Sequence, residues 1–222
     1  MKTTRQIKDS LYEQVARLGK ALASPKRLEL IEILCQGEKP VEQLAQAASI
    51  TVKLTSAHLK ALKAARLLEA RREGRNIYYR LADIQVATLW VALRTAAESR
   101  LTSLQTAMRA LVTHPNELAP MNGKKLLSQA KRGEVIVLDV RPVDEYRTAH
   151  LPHARSIPLA ELKQRLKELP VNCKVVAYCR GPFCLMAREA VALLNKKGFK
   201  AVRLEQGVAE WRTQGLPLAS DN

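Results

Sequence analysis

The residues best suited to chemistry lie in one short stretch, Tyr178-Cys179-Arg180-Gly181-Pro182-Phe183-Cys184. A β-branched run, Lys174-Val-Val-Ala-Tyr, ends at the first thiol, and from Cys184 onward the apolar spacing turns helical. A cysteine at the end of a strand, facing the start of a helix, meets unpaired amide donors and the positive end of a macrodipole. Both hold an anion and lower a thiol pKa. The pattern therefore predicts Cys179 as a nucleophile with a depressed pKa, cradled by the loop amides and Arg180, although Pro182 removes one donor. Two readings of Cys184 stay open. It is either a buried first-turn residue or a resolving thiol that closes a sulfur bridge to Cys179. Cys173 reads as incidental, and Cys35 as a small buried hydrophobe on a helix. No Cys-x-x-Cys pair and no Cys/His zinc spacing occurs, so neither a metal site nor a cofactor is expected. Phosphatase chemistry needs Cys-x5-Arg, whose arginine grips an oxyanion bidentately. Leu185 stands at that arginine's position, and Arg188 falls inside the helix.

The strand and helix around Cys179 belong to a larger alternation. Val135 to Val140, Lys174 to Tyr178 and Ala201 to Leu204 are short, almost wholly apolar runs. Helical segments near 123–131, 159–167 and 184–197 separate them. That order predicts a parallel sheet covered on both faces. Asp139, Arg141 and Glu145 follow the first strand and are expected to form an ion-pair network bracing the thiol loop.

The first half of the chain has a different period. Ile7, Leu11, Val15, Leu18 and Leu22 define a first helix. Ser24-Pro25 starts a second, over Lys26 to Cys35. Val41 to Ala47 and Val52 to Ala65 follow as third and fourth. Residues 67–72 and 76–81 read as a hairpin turning at Gly74. Asp83 caps a long last helix running from Trp90 through Leu93, Ala97, Leu101, Leu104 and Met108 to Leu111. Pro115, Asn116, Pro120, Asn122 and Gly123 mark a joint. The expected organisation is a mainly helical domain over residues 1–112, a linker over 113–122 and an α/β domain over 123–222.

A helix, a turn, a second helix and a basic hairpin describe a winged helix-turn-helix. The chain of 222 residues carries a formal charge of +16. Residues 1–110 hold 19 basic against 10 acidic residues and residues 111–222 hold 18 against 11. Total charge thus does not say which half meets a polyanion, but local density does. Between Lys53 and Arg80 there are eight basic residues against Glu69 and Glu73. Expected DNA contacts are Lys53, Thr55, Ser56, His58 and Lys60 on the fourth helix. From the wing come Arg71, Arg72, Arg75 and Asn76. No apolar leader or long apolar run is present, so a cytoplasmic chain without a membrane span is expected.

These motifs carry two resemblances. Leu22-Ala-Ser-Pro-Lys-Arg-Leu-Glu-Leu-Ile, Ser56-Ala-His-Leu-Lys-Ala-Leu and Arg71-Arg-Glu-Gly-Arg-Asn-Ile-Tyr-Tyr-Arg-Leu-Ala resemble the ArsR/SmtB family of bacterial repressors. The resemblance implies a homodimer through the first and last helices, bound to duplex operator DNA at an inverted repeat. Members sense metals or thiol-reactive species. The family's metal motif Cys-Val-Cys is replaced here by Val41-Glu-Gln-Leu. Cys35 matches one thiol of a sensing pair whose second member is missing from the last helix. Leu138-Asp-Val-Arg-Pro-Val-Asp-Glu-Tyr-Arg-Thr-Ala-His-Leu-Pro, the Cys179 loop and Leu204-Glu-Gln-Gly-Val-Ala-Glu-Trp resemble a single rhodanese domain. That resemblance implies that Cys179 takes sulfur from a sulfane-sulfur donor as a persulfide and passes it to a thiol acceptor.

Together they imply a regulator that responds to sulfane sulfur or related thiol-reactive species. Two alternatives stay open. One is an active thiosulfate-type sulfurtransferase that also controls its own operon. The other is an arsenic- or metal-responsive repressor with an inert rhodanese module.

Overall fold

A computed structural model describes residues 3–110 and 123–221. Leu111 and the expected linker lie outside the described residues. The chain divides into two compact units, Met1–Trp90 and Val91–Asn222.

The first unit begins with helix α1 (Thr4–Leu22), capped by Thr3, whose hydroxyl accepts from Gln6 N while the Gln6 side chain accepts from Thr3 N. Helix α2 (Pro25–Leu34) has proline at its start and no side-chain bond from Ser24. Strand β1 (Lys39–Pro40), helix α3 (Val41–Ala47) and helix α4 (Val52–Ala64) follow. The Thr51 hydroxyl caps α4 by accepting from Leu54 N at 3.3 Å. Strands β2 (Leu68–Glu73) and β3 (Asn76–Leu81) form the hairpin, with Gly74 at φ +58° in its turn. The sheet order is β1-β3-β2, all antiparallel. The β1 strand was not expected, because proline and a two-residue length give it no alternating pattern. Leu30, Ile31, Ile33, Leu44, Leu59, Leu62, Leu67, Leu68 and Tyr79 form the core between α2, α3, α4 and the hairpin. The α1 stripe is different: Ile7, Leu11, Val15 and Leu18 are all exposed.

Helix α5 (Ile84–Arg100) starts at Asp83, whose carboxylate accepts from Gln85 N and Val86 N. The long last helix expected from the sequence is interrupted at Leu101, and helix α6 (Thr102–Ala110) follows. At the break the Gln105 side chain donates to the Glu98 carbonyl, a group that would otherwise serve the helical ladder.

The rest of the second unit comprises helix α7 (Gly123–Lys131), strand β4 (Val135–Asp139), helix α8 (Val143–Thr148), strand β5 (Arg155–Ser156), helix α9 (Leu159–Arg165), strand β6 (Lys174–Tyr178), helix α10 (Met186–Lys196), strand β7 (Ala201–Arg203) and helix α11 (Val208–Thr213). The sheet order is β5-β4-β6-β7 and every pairing is parallel. The apolar runs are continuous because alternate side chains meet different layers. Ile136, Leu138, Val175, Ala177 and Cys179 face α9 and α10, with Leu162, Ala190 and Leu194. Val135, Val137, Val176 and Tyr178 face α7 and α11, with Leu126 and Trp211. The short α8 and α11 were not singled out from the sequence.

Candidate functional site

Strand β6 is central, between β4 and β7, and the thiol loop leaves its C-terminal end. In parallel sheets such ends open onto crevices that hold ligands. Cys179 lies on the α9/α10 side and is 2% exposed. Its sulfur receives the backbone N–H of Gly181 and of Ala187, in the first turn of α10. The backbone amides of Arg180 and Met186 point at the Cys184 sulfur. The expected cradle of loop amides and helix start is therefore present, but it serves two sulfurs. Cys179 Sγ donates to the Cys184 carbonyl oxygen at 3.4 Å and lies 3.9 Å from that of Gly181, and the two thiols bear on each other's acidity.

This contact corrects the expectation that Cys179 has the depressed pKa. Burial pushes Cys179 well up. The Cys179 hydrogen bond, against some desolvation, brings Cys184 down to about 7. Of the two, Cys184, the more exposed, is the one that gives up its proton more readily.

The bracing residues act in two places. Asp139 and Arg141 are fully buried and paired at 2.6 Å, with Arg141 Nε also donating to Asp139 Oδ1 at 3.0 Å. The Tyr178 hydroxyl donates to Asp139 and accepts from Leu151 N, tying β4 to β6 just below the loop. Buried Glu145 on α8 instead holds Arg180, accepting from its Nη2 at 2.7 Å and its Nε at 3.1 Å. Arg180 is thus engaged by a carboxylate instead of standing ready for an anion, though its charge still helps lower Cys184.

Several loop contacts gave no sequence signal of their role. Buried Arg203 on β7 donates to the Pro182 carbonyl at 3.5 Å. Gly207 passes so near that a Cβ there would stand 2.5 Å from the Arg180 carbonyl oxygen and 2.6 Å from that of Cys179. Gly207 N donates to Glu210 Oε2 at 2.5 Å. Gly207 and Glu210 fall within the quoted Leu204–Trp211 motif, which marked the segment without assigning their tasks.

On the expected DNA face, Lys53 and Lys60 are exposed and Ser56 and His58 half-buried. Thr55 is corrected: it is buried, and its hydroxyl bonds to the Thr51 carbonyl at 2.9 Å. Arg72, Arg75 and Asn76 are exposed on the wing. Arg71 is exposed but held by Glu38 and Glu73, and it lies over the Tyr78 ring. Cys35 is buried at the end of α2, while half-buried Cys173 lies near the Gly133 and Glu134 carbonyls. Among the described residues no group of three or more His, Cys, Asp or Glu side chains is placed to hold a metal ion. No helix among them is long and apolar enough to cross a membrane.

Comparison with known proteins agrees with both halves. Residues 24–70 match the family described as "Bacterial regulatory protein, arsR family", and residues 122–214 match the rhodanese-like domain. The chain is 42% identical over 211 residues to the HTH-type transcriptional regulator Rv0324 of Mycobacterium tuberculosis, covering 95% of this chain and 92% of the relative. It is 28% identical over 171 residues to a Bacillus subtilis protein provisionally named a sulfur carrier, covering 74% of this chain and 90% of that one. Among solved structures, it is 43% identical to a homodimeric winged helix-turn-helix DNA-binding domain from Mycobacterium bovis. That likeness covers 46% of this chain and 94% of the other, at a TM-score of 0.42.

Proposed function

The chain belongs to the arsR family of DNA-binding bacterial regulators and carries a C-terminal rhodanese-like domain, and on that footing we propose that its operator affinity responds to sulfane sulfur taken up at Cys179. The observation that carries this reading is the placement of the Cys179 thiol 3.4 Å from the Cys184 carbonyl, at the start of α10. The Cys184 thiolate accepts the Cys179 proton, and the freed Cys179 thiolate attacks the sulfane sulfur of a donor. The donor's sulfur–sulfur bond breaks and its remainder leaves as an anion. Cys184, having lost its proton again, attacks Cys179 Sγ in the persulfide. A Cys179–Cys184 disulfide forms and hydrosulfide departs. A thiol acceptor that instead takes the outer sulfur returns Cys179 to its starting state, which is sulfurtransferase turnover. The name of the Bacillus subtilis relative accords with sulfur handling.

Mass spectrometry after brief exposure to a sulfane-sulfur donor tests this. Wild-type protein is expected to carry first added sulfur on Cys179 and then the bridge, whereas Cys184→Ser, lacking that base, loads Cys179 more slowly and stops at the persulfide. The lower pKa and greater exposure of Cys184 favour a second reading, in which sulfur first reaches Cys184 and is handed inward. In that case Cys179→Ser still loads one sulfur. Loading of neither thiol in wild type contradicts both.

A further inference from the structure

The second unit includes the C-terminal half of α5, and that half carries a buried arginine. Arg94 is 4% exposed. Its Nη1 lies 2.7 Å from Glu210 Oε1, its Nε lies 3.0 Å from Glu98 Oε1, and its guanidinium sits over the Phe183 ring at 5.9 Å from the centroid. Glu210, itself 4% exposed, divides its carboxylate: Oε1 takes Arg94 and Oε2 takes the backbone N–H of Gly207. Gly207 in turn lies against the carbonyls of Cys179 and Arg180. One side chain of α5 thus reaches the thiol loop by two routes, directly at Phe183 and through Glu210 and Gly207. Nothing in the sulfur chemistry requires it. A salt bridge is a weak reason to bury an arginine, since desolvation consumes most of the attraction.

We propose that Arg94 is a positioning residue that ties the geometry of the thiol loop to α5, so that a change at the sulfurs is transmitted to the helix beginning at Ile84. The inference rests on the sulfur-responsive reading for its biological meaning, but not for its geometry. Sulfur added at Cys179, whose thiol is buried, changes the loop whose Cys179 and Arg180 carbonyls pack against Gly207. Phe183 and Gly207 then press on the group that Arg94 clamps. The converse holds as well, because coupling is reciprocal: a displaced α5 alters the amide cradle and therefore thiol reactivity.

The full-length chain carrying Arg94→Lys keeps the charge but loses the planar guanidinium that bonds Glu210 while lying beside Glu98. The pair Arg94→Met/Glu210→Gln removes both charges, guarding against a fold lost to unpaired carboxylates. Two readouts apply: the pH profile of Cys184 alkylation by iodoacetamide, and the ratio of operator affinities between reduced and sulfur-loaded protein. The expected result is alkylation at pH 7 slowed by about threefold as the profile moves up. The affinity ratio is expected to fall from about tenfold to below about twofold, with reduced-state operator binding retained. Variants with wild-type profile and wild-type ratio overturn the role of Arg94 while the sulfur-responsive reading stands. A wild type whose two states bind alike contradicts the sulfur-responsive reading instead. The alkylation profile then decides on Arg94 by itself: a shift supports the positioning role and an unshifted profile overturns it.

Discussion

Deep burial pushes the Cys179 thiol up, while the Cys179 hydrogen bond and neighbouring amides bring Cys184 down to about 7, so Cys184 is the thiol that ionises near neutral pH. Alkylation requires the thiolate, so Cys184 labelling should rise with pH through a midpoint near 7. Cys179→Ala removes the hydrogen bond that lowers Cys184, so the midpoint should move upward. A Cys184 profile that is unchanged by Cys179→Ala would mean that the loop amides alone set its pKa. Gly207 offers a mechanical check. Alanine there collides with two loop carbonyls, so Gly207→Ala should destabilise the rhodanese-like domain by about 1–3 kcal/mol and slow sulfur loading. Denaturant unfolding with mass-spectrometric loading measures both, and a variant matching wild type in both contradicts the tight approach. Cys179, Cys184 and the loop between them were legible in the sequence because strand, loop and helix start are contiguous. Their relative acidity was not, since it follows from burial and from which sulfur donates. Arg94 and Glu210 lie 116 positions apart, and no local pattern announces that pairing.

At the scale of elements, the wing and α4 present most of the expected cations, and ion pairing separates them by effect. Arg72 and Arg75 stand exposed on the wing, whereas Arg71 is held by Glu38 and Glu73. Arg72→Ala/Arg75→Ala should weaken operator binding and flatten its salt dependence by about two units if each residue neutralises one phosphate. Arg71→Ala should change the slope far less. Equal slopes for the wild type and the double variant would remove the wing from the contact surface. Helix α1 carries a row of exposed apolar side chains, the face on which the sequence resemblance implies a second copy of the chain. Leu11→Glu is accordingly expected to shift sedimentation from dimer to monomer and to weaken operator binding. A wild type already monomeric at micromolar concentration contradicts that view. The helices and the two wing strands were readable from their periods. Strand β1 and the break at Leu101 were not, because one is two residues long and the other depends on where the Gln105 side chain bonds.

For the whole molecule, the two resemblances predict two domains, and the division into two compact units falls within helix α5. Helix α5 begins in the first unit and ends in the second, where Arg94 meets the Cys179 loop by way of Phe183 and Glu210. The charge of +16 is spread over both halves, so composition does not locate the Arg94–Glu210 pair. The most direct test is titration of operator DNA against reduced and sulfur-loaded full-length protein at fixed salt, with Cys179→Ser and Cys184→Ser alongside. The expected result is a difference of about tenfold between the two wild-type states, equivalent to about 1.4 kcal/mol of coupling, and its loss in Cys179→Ser. Identical binding by loaded and reduced wild type would contradict sulfur-responsive regulation and leave the rhodanese-like domain as a sulfurtransferase fused to a DNA-binding module.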